Sequence, residues 1–184
     1  MYPVLLSAVL VFVAELGDKS QLLSMTFATR YRARTVILGA GLACAAINLV
    51  SALAGNVIGD ALPRDAVRIA GGVLFLLFAV LALREGTTDG DEPKPQARGG
   101  RAVVVVAVAF TVSEIGDKTM LAAMTLATQY HWLLVWIGST IGMLVSIVLA
   151  VLVGRTMLKV VPLRFVHLVS AALFAVVGVL LLVG

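Results

Sequence analysis

The stretch ELGDKSQLLSMT, residues 15–26, sets three charges (Glu15, Asp18 and Lys19) into a chain that is otherwise apolar. It returns as EIGDKTMLAAMT at 114–125, with Glu114, Asp117 and Lys118 in the same places. An ionised side chain within a bilayer is costly unless it faces a partner or a wet cavity. Acids at such positions are therefore functional candidates from the outset.

The surroundings are membrane-like. The chain is 61% hydrophobic and 13% charged, with a mean hydropathy of +1.08, too little charge to cover a soluble domain. Apolar runs at 36–58, 67–83, 102–112, 132–153 and 166–183 mostly approach the roughly 20 residues that span a bilayer. Residues 2–14 lack the positive start of a signal peptide, and apolar character resumes after the charged interruption, so they read as structure. The formal net charge of +4 implies no nucleic-acid partner, because the basic residues fall in short loops. The single cysteine, Cys44, lies in an apolar segment and reads as a small packing residue.

Shifting the sequence by 99 positions aligns residues 4–85 with 103–184 without a gap, and 25 of the 82 pairs are identical. Over 15–31 against 114–130 the identities rise to 10 of 17. Gly39, Gly55 and Pro63 match Gly138, Gly154 and Pro162. This is an internal duplication. It divides the chain into repeat 1 (1–86), a charged Gly/Pro-rich linker (87–101) expected to be flexible, and repeat 2 (102–184). Acids at the linker, Glu85, Asp89, Asp91 and Glu92, read as solvated.

Each repeat reads as three spans: 3–29, 36–58 and 67–83, then 102–128, 132–153 and 164–183. An odd number of spans makes the second repeat enter from the opposite side, which gives inverted-topology repeats of the kind found in secondary transporters. Loop charge orients the whole. Arg30, Arg32, Arg34, Arg84, Lys94, Arg98, Arg101, Arg155, Lys159 and Arg164 fall on one face, against Arg64 and Arg68 on the other. The basic face is the cytoplasmic one, so both termini are expected outside and the linker inside.

Glu15, Asp18, Glu114 and Asp117 are the four acids within spans. On one continuous helix the i,i+3 spacing of Glu15 and Asp18 places both carboxylates on one face. Gly17 and Gly116, inside the motifs, are poor helix formers, and Asp18 with Gln21 has the spacing of an N-cap and its partner. The expectation is a first span broken at the ExGD motif in each repeat, with the two glycines as hinges. Broken helices at membrane depth occur where freed backbone and helix ends line an ion site. Ser20 and Thr119 could add hydroxyl oxygens. Four carboxylates facing one volume, without His or Cys, select hard divalent cations. Counting Lys19 and Lys118, the charge is −4 + 2 = −2, which one divalent ion or two protons would neutralise. Carboxylates must be deprotonated to bind metal, so metal and protons would exchange.

Other repeated positions read more plainly. Met25/Met124 and Thr26/Thr125 are packing residues, GAGLACAA from Gly39 is a small-residue face for close helix packing, and Asn48 and Ser51 make interhelical contacts. His131 and His167 sit near span ends.

The signature E-hydrophobic-G-D-[KR]-[ST], present as ELGDKS and EIGDKT on the first span of each repeat, resembles that of the transmembrane protein 165 family, also catalogued as uncharacterised protein family 0016. The resemblance covers nearly the whole chain. It implies a cation/proton exchanger, not an enzyme, that carries Mn²⁺ or Ca²⁺ as substrate with no tightly bound cofactor. Bacterial members look like manganese exporters of the inner (plasma) membrane. The family's metal-site acids fall on Glu15, Asp18, Glu114 and Asp117, leaving Lys19 and Lys118 to tune their affinity. A homodimer stays open beside a monomer.

Three alternatives compete. Glu15–Lys19 and Glu114–Lys118 could be i,i+4 salt bridges that only hold the bundle together, which leaves the aspartates unexplained. A six-span exporter of a basic amino acid such as lysine would also use four carboxylates, but the motif lysines already occupy part of that charge. Intramembrane aspartyl catalysis calls for two dissimilar acids, and these motifs are near-identical.

Overall fold

The computed structural model describes residues 1–84, 100–160 and 163–183, the side chains of 64, 82, 84, 100 and 153–167 excepted. Residues 87–99 of the expected linker, with Glu85, Asp89, Asp91 and Glu92, lie outside the described residues, as do Pro162 and the side chains of Arg155, Lys159, Arg164 and His167. Among the described residues the fold is all-α. Its helices are α1 (Tyr2–Glu15), α2 (Lys19–Ala28), α3 (Ala33–Ala61), α4 (Arg64–Arg84), α5 (Gly100–Glu114), α6 (Lys118–Gln129), α7 (Trp132–Val160) and α8 (Leu163–Val183).

Local chemistry sets the boundaries. Pro3 falls in the first turn of α1, where its missing N–H costs no helical bond. Leu62 is extended because the following Pro63 disfavours the helical region, and this separates α3 from α4. The breaks between α1 and α2 and between α5 and α6 rest on glycine. Gly17 (φ 76) and Gly116 (φ 80) have positive φ, a left-handed conformation that costs an L-residue about 1–2 kcal/mol and glycine almost nothing.

Stretches within Ala33–Ala61 and Trp132–Leu152 are long and apolar enough to cross a bilayer alone. With 14 and 10 residues, α1 and α2 are each too short for that, and so are α5 and α6 with 15 and 12. Each of these two pairs reaches span length only together. Exposed apolar side chains run along the helices, among them Leu38, Leu42, Val50, Val104 and Val112. A soluble protein rarely shows such a surface.

The packing reproduces the duplication. A Cβ at Gly39 of α3 would lie 2.7 Å from the Val103 carbonyl and 2.9 Å from Val106 of α5. A Cβ at Gly138 of α7 would lie 2.3 Å from the Val4 carbonyl and 2.0 Å from Ser7 of α1. Shifted by 99 residues, these are the same contact. The long helix of each repeat thus packs against the first helix of the other, which puts both motifs in one interior. Gly55 and Gly59 bring α3 against the backbone of Met124 and Thr128 in α6. Between α4 and α8, Phe75, Phe78 and Phe174 form an aromatic knot with ring centroids 5.7 to 6.1 Å apart, and Phe75 and Phe174 are again equivalent positions. Gly72 meets Leu182, and Gly178 meets Leu76, so α4 and α8 run antiparallel. One end of the bundle gathers the start of α1, the α3–α4 turn, the end of α6 and the end of α8. It shows in the Tyr2–Tyr130 ring contact, the Gly59–Thr128 approach and the Arg68 Nε–H bond to the Leu181 carbonyl.

Candidate metal centre

Both breaks form the same turn. Glu15 and Glu114 end their helices. The Asp18 N–H donates to the Glu15 carbonyl and the Asp117 N–H to that of Glu114, each at 3.2 Å. Asp18 and Asp117 then occupy the N-cap positions of α2 and α6 in extended conformation, without side-chain cap bonds. The partly positive helix N-termini favour anions there, while the carboxylates remain available to other partners.

Glu15 and Glu114 are buried, at 1% and 2% exposure. Glu15, Glu114 and Asp117 each present a carboxylate oxygen within 4.8 Å of the others. A point equidistant from three oxygens at that spacing lies about 2.8 Å from each, and shifts of a few tenths of an ångström would bring them to the 2.3–2.6 Å that Ca²⁺ takes. The Ser20 hydroxyl donates to Glu15 Oε2, and the Thr119 hydroxyl donates to Glu114 Oε2 at 3.3 Å. Glu15 Oε1 is buried without a hydrogen bond, an orphan acceptor inside a cluster of negative charge. A hard cation would satisfy it.

The fourth acid is arranged differently. The Lys118 ammonium lies 2.9 Å from Asp18 Oδ1, with both side chains about nine-tenths buried. This ion pair joins the repeats and was not foreseeable from spacing, since its partners are 100 residues apart. Lys19, the equivalent of Lys118, is exposed and forms no ion pair among the described residues. The Glu15–Lys19 bridge of the competing salt-bridge reading does not form. An i,i+4 pair needs one continuous helix, and the break leaves Glu15 ending α1 and Lys19 opening α2. The same break removes Glu15 and Asp18 from a shared helix face. Counting the paired Lys118 and leaving out the exposed Lys19, the formal charge is −4 + 1 = −3, not −2.

Gln21 reaches back as expected of a cap partner, but to a different group: its Oε1 accepts from the Gly17 N–H at 2.7 Å. Its Nε2 is buried without a partner. At the equivalent place in repeat 2, the Gly116 N–H meets only the Met120 sulfur at 3.3 Å.

Of the plainer residues, Asn48 reaches across helices as expected, whereas Ser51 does not, because its hydroxyl is satisfied by the Ile47 carbonyl of its own helix. Asn48 contacts the Met143 sulfur of α7 at 3.9 Å. Ser51 and Thr125 bond carbonyls one turn back in their own helices. Cys44 is buried as a free thiol. His131 is exposed, accepts the Leu133 N–H and stacks on Trp132.

A family model described as divalent cation/proton antiporter GDT1 matches residues 3–90 and 102–184. A Vibrio cholerae protein named "Putative manganese exporter" is 38% identical over 172 residues, 92% of this chain and 84% of that protein. A GDT1-like protein of Synechocystis is 28% identical over 184 residues, covering 90% of this chain and 89% of its own. One of Schizosaccharomyces pombe is 23% identical over 228 residues, covering 95% and 87%. No solved structure matches. Duplicated acidic motifs, a buried carboxylate cluster and matches over both repeats lead to one conclusion: this chain is a membrane protein of the GDT1 family of divalent cation/proton antiporters.

Proposed function

We propose that this protein is a six-span, inverted-repeat antiporter that exports Mn²⁺, with Ca²⁺ as the nearest competing cargo, in exchange for protons. The observation that carries the reading is the cluster of buried Glu15 and Glu114 with half-buried Asp117, whose oxygens approach within 4.8 Å. Three carboxylates so close in a low-dielectric interior repel one another strongly, and a divalent cation or bound protons relieve that repulsion. The two ligands therefore compete for the same oxygens, and competition between metal and proton is what exchange requires. Asp18 is the fourth carboxylate of the site, and Lys118 balances part of the negative field. Gly17 and Gly116 are the points about which the half-helices reorient as access alternates.

The choice of Mn²⁺ is supported by the name of the Vibrio cholerae relative and by the all-oxygen donor set. Loop charge supports a bacterial inner-membrane orientation with both termini outside. The test is proton flux in proteoliposomes loaded with a pH-sensitive dye, adding Mn²⁺, Ca²⁺, Mg²⁺ and lysine in turn. A pH change driven by Mn²⁺ and lost in Glu15→Gln/Glu114→Gln is the expected result. A response to lysine alone would replace the metal reading with amino-acid export, and silence from folded protein would reject transport by this site.

A further inference from the structure

A second set of oxygens lies at the far end of α6. Between the ends of α3 and α6 and the start of α4 is a polar cavity of about 350 Å³ whose lining includes Asn56, Gly59, Asp60, Thr128, Gln129 and Tyr130. It shares no residue with the metal centre. The centre lies at the other end of α6, 12 residues away along the chain, or about 18 Å of helix at 1.5 Å per residue.

The donors suit a hard cation. Asn56 Nδ2 donates to Asp60 Oδ2 at 3.1 Å, so the Asn56 amide oxygen and the other carboxylate oxygen take no part in that bond. The Thr128 hydroxyl donates to the Thr125 carbonyl at 2.7 Å and keeps lone pairs for a ligand. The C-terminal end of α6 adds the negative pole of its dipole and its last carbonyls. Arg68 lines a neighbouring cavity with Gln129 and Tyr130 and is held by the Leu181 carbonyl and, at 3.9 Å, by Asp65.

The duplication shows that this chemistry is particular to one mouth. Under the 99-residue shift Asn56, Asp60 and Gln129 correspond to Arg155, Lys159 and Arg30. Loop-charge bias explains the basic copy, but it does not require a carboxylate flanked by two amides in the other.

We propose that this cavity is a second, weaker divalent-cation site, a vestibule that holds partly hydrated Mn²⁺ or Ca²⁺ at the mouth opposite the linker. The inference rests on the reading that the cargo is a divalent cation. One carboxylate with neutral oxygens places its affinity on the order of 10⁻⁴–10⁻³ M, the range of the weakest oxygen-ligand Ca²⁺ sites.

The experiment counts bound Mn²⁺ by electron paramagnetic resonance in purified full-length protein. It compares wild type, Asp60→Asn, Asp60→Glu, Glu15→Gln/Glu114→Gln and a linker variant, Asp89→Asn/Asp91→Asn/Glu92→Gln. The expected result is two classes of bound ion in the wild type. Asp60→Asn weakens the weak class at least tenfold and leaves the tight class intact, which also reports that the variant is folded; Asp60→Glu retains both. Loss of the tight class in Glu15→Gln/Glu114→Gln leaves the weak class in place. A weak class that survives Asp60→Asn, or that disappears only in the linker variant, overturns the vestibule. A wild type without a tight class but with a weak class sensitive to Asp60→Asn upholds the vestibule and rejects the central site.

Discussion

Replacing Gly116 by alanine isolates a single physical term. A Cβ at this position meets nothing within 4 Å, so crowding contributes nothing. What remains is the backbone, held at φ 80. An L-residue there costs about 1–2 kcal/mol, and alanine returns about 0.4–1 kcal/mol by restricting the unfolded chain. The net is about 1 kcal/mol of destabilisation, or about 2–4 °C in Tm for a chain of this size. If alanine instead pulls the turn toward helical φ, Asp117 swings away from Glu15 and Glu114, and the same 1 kcal/mol taken from the bound geometry weakens Mn²⁺ binding about fivefold. Thermal melts of purified protein with and without Mn²⁺ read both effects. Gly116→Asn serves as the control, because asparagine tolerates the left-handed region. Gly116→Ala melting at or above the wild-type temperature, or Gly116→Asn falling as far as Gly116→Ala, would refute the positive-φ break as the origin of the turn.

Gly55→Ala should cost more, about 1–3 kcal/mol, because its Cβ would sit 2.0 Å from the Met124 carbonyl, a backbone atom that cannot swing aside. Gly41→Ala should melt close to wild type, since its added Cβ meets only the end of the Leu144 side chain. Trp136→Phe removes the indole N–H bond to the Ala45 carbonyl at 2.9 Å and should cost about 0.5–1.5 kcal/mol, seen as a fall of a few degrees in Tm. Lowering the pH should weaken tight Mn²⁺ binding, because the clustered carboxylates bind metal only when deprotonated. The apparent Kd should rise about tenfold per pH unit for one displaced proton and about a hundredfold for two; a Kd that does not change with pH would rule out shared oxygens.

The membrane class, the duplication and the two breaks were legible because each rests on local or periodic chemistry. Apolar runs, a 99-residue shift and a glycine flanked by acids all survive being read along a line. What was not legible depends on three-dimensional neighbours. The i,i+4 arithmetic for Glu15 and Lys19 assumed a helix that Gly17 interrupts, and the same glycine invalidates the one-face argument for Glu15 and Asp18. The Lys118–Asp18 pair has no linear signal, because it forms only when each repeat's long helix packs on the other's first helix. Gln21 was visible as a cap partner, but its target depends on the Gly17 turn. The divergence of Asp60 from Lys159 was present in the aligned repeats and gained meaning once Asp60 was seen to line a cavity.

The asymmetry at the centre bears on how a duplicated site could work. The motifs are near-identical, yet Lys118 is buried against Asp18 while Lys19 is exposed. Both residues are lysines in the same register, so the difference lies in what surrounds them. Under the proposed alternating access, the state open to the other side would exchange these roles, bringing Lys19 toward Asp117 and exposing Lys118. Inverted repeats that open to opposite sides would form such a pair of states, and the Lys118–Asp18 ion pair fits that proposed topology. Where the motifs do differ, the two states acquire different energies. Gln21 holds the Gly17 N–H with an amide oxygen at 2.7 Å, whereas Met120 offers Gly116 only a thioether, a weaker acceptor. The turn at Gly17 is therefore held by the stronger acceptor, and under the proposed mechanism reorientation should begin at the break in repeat 2.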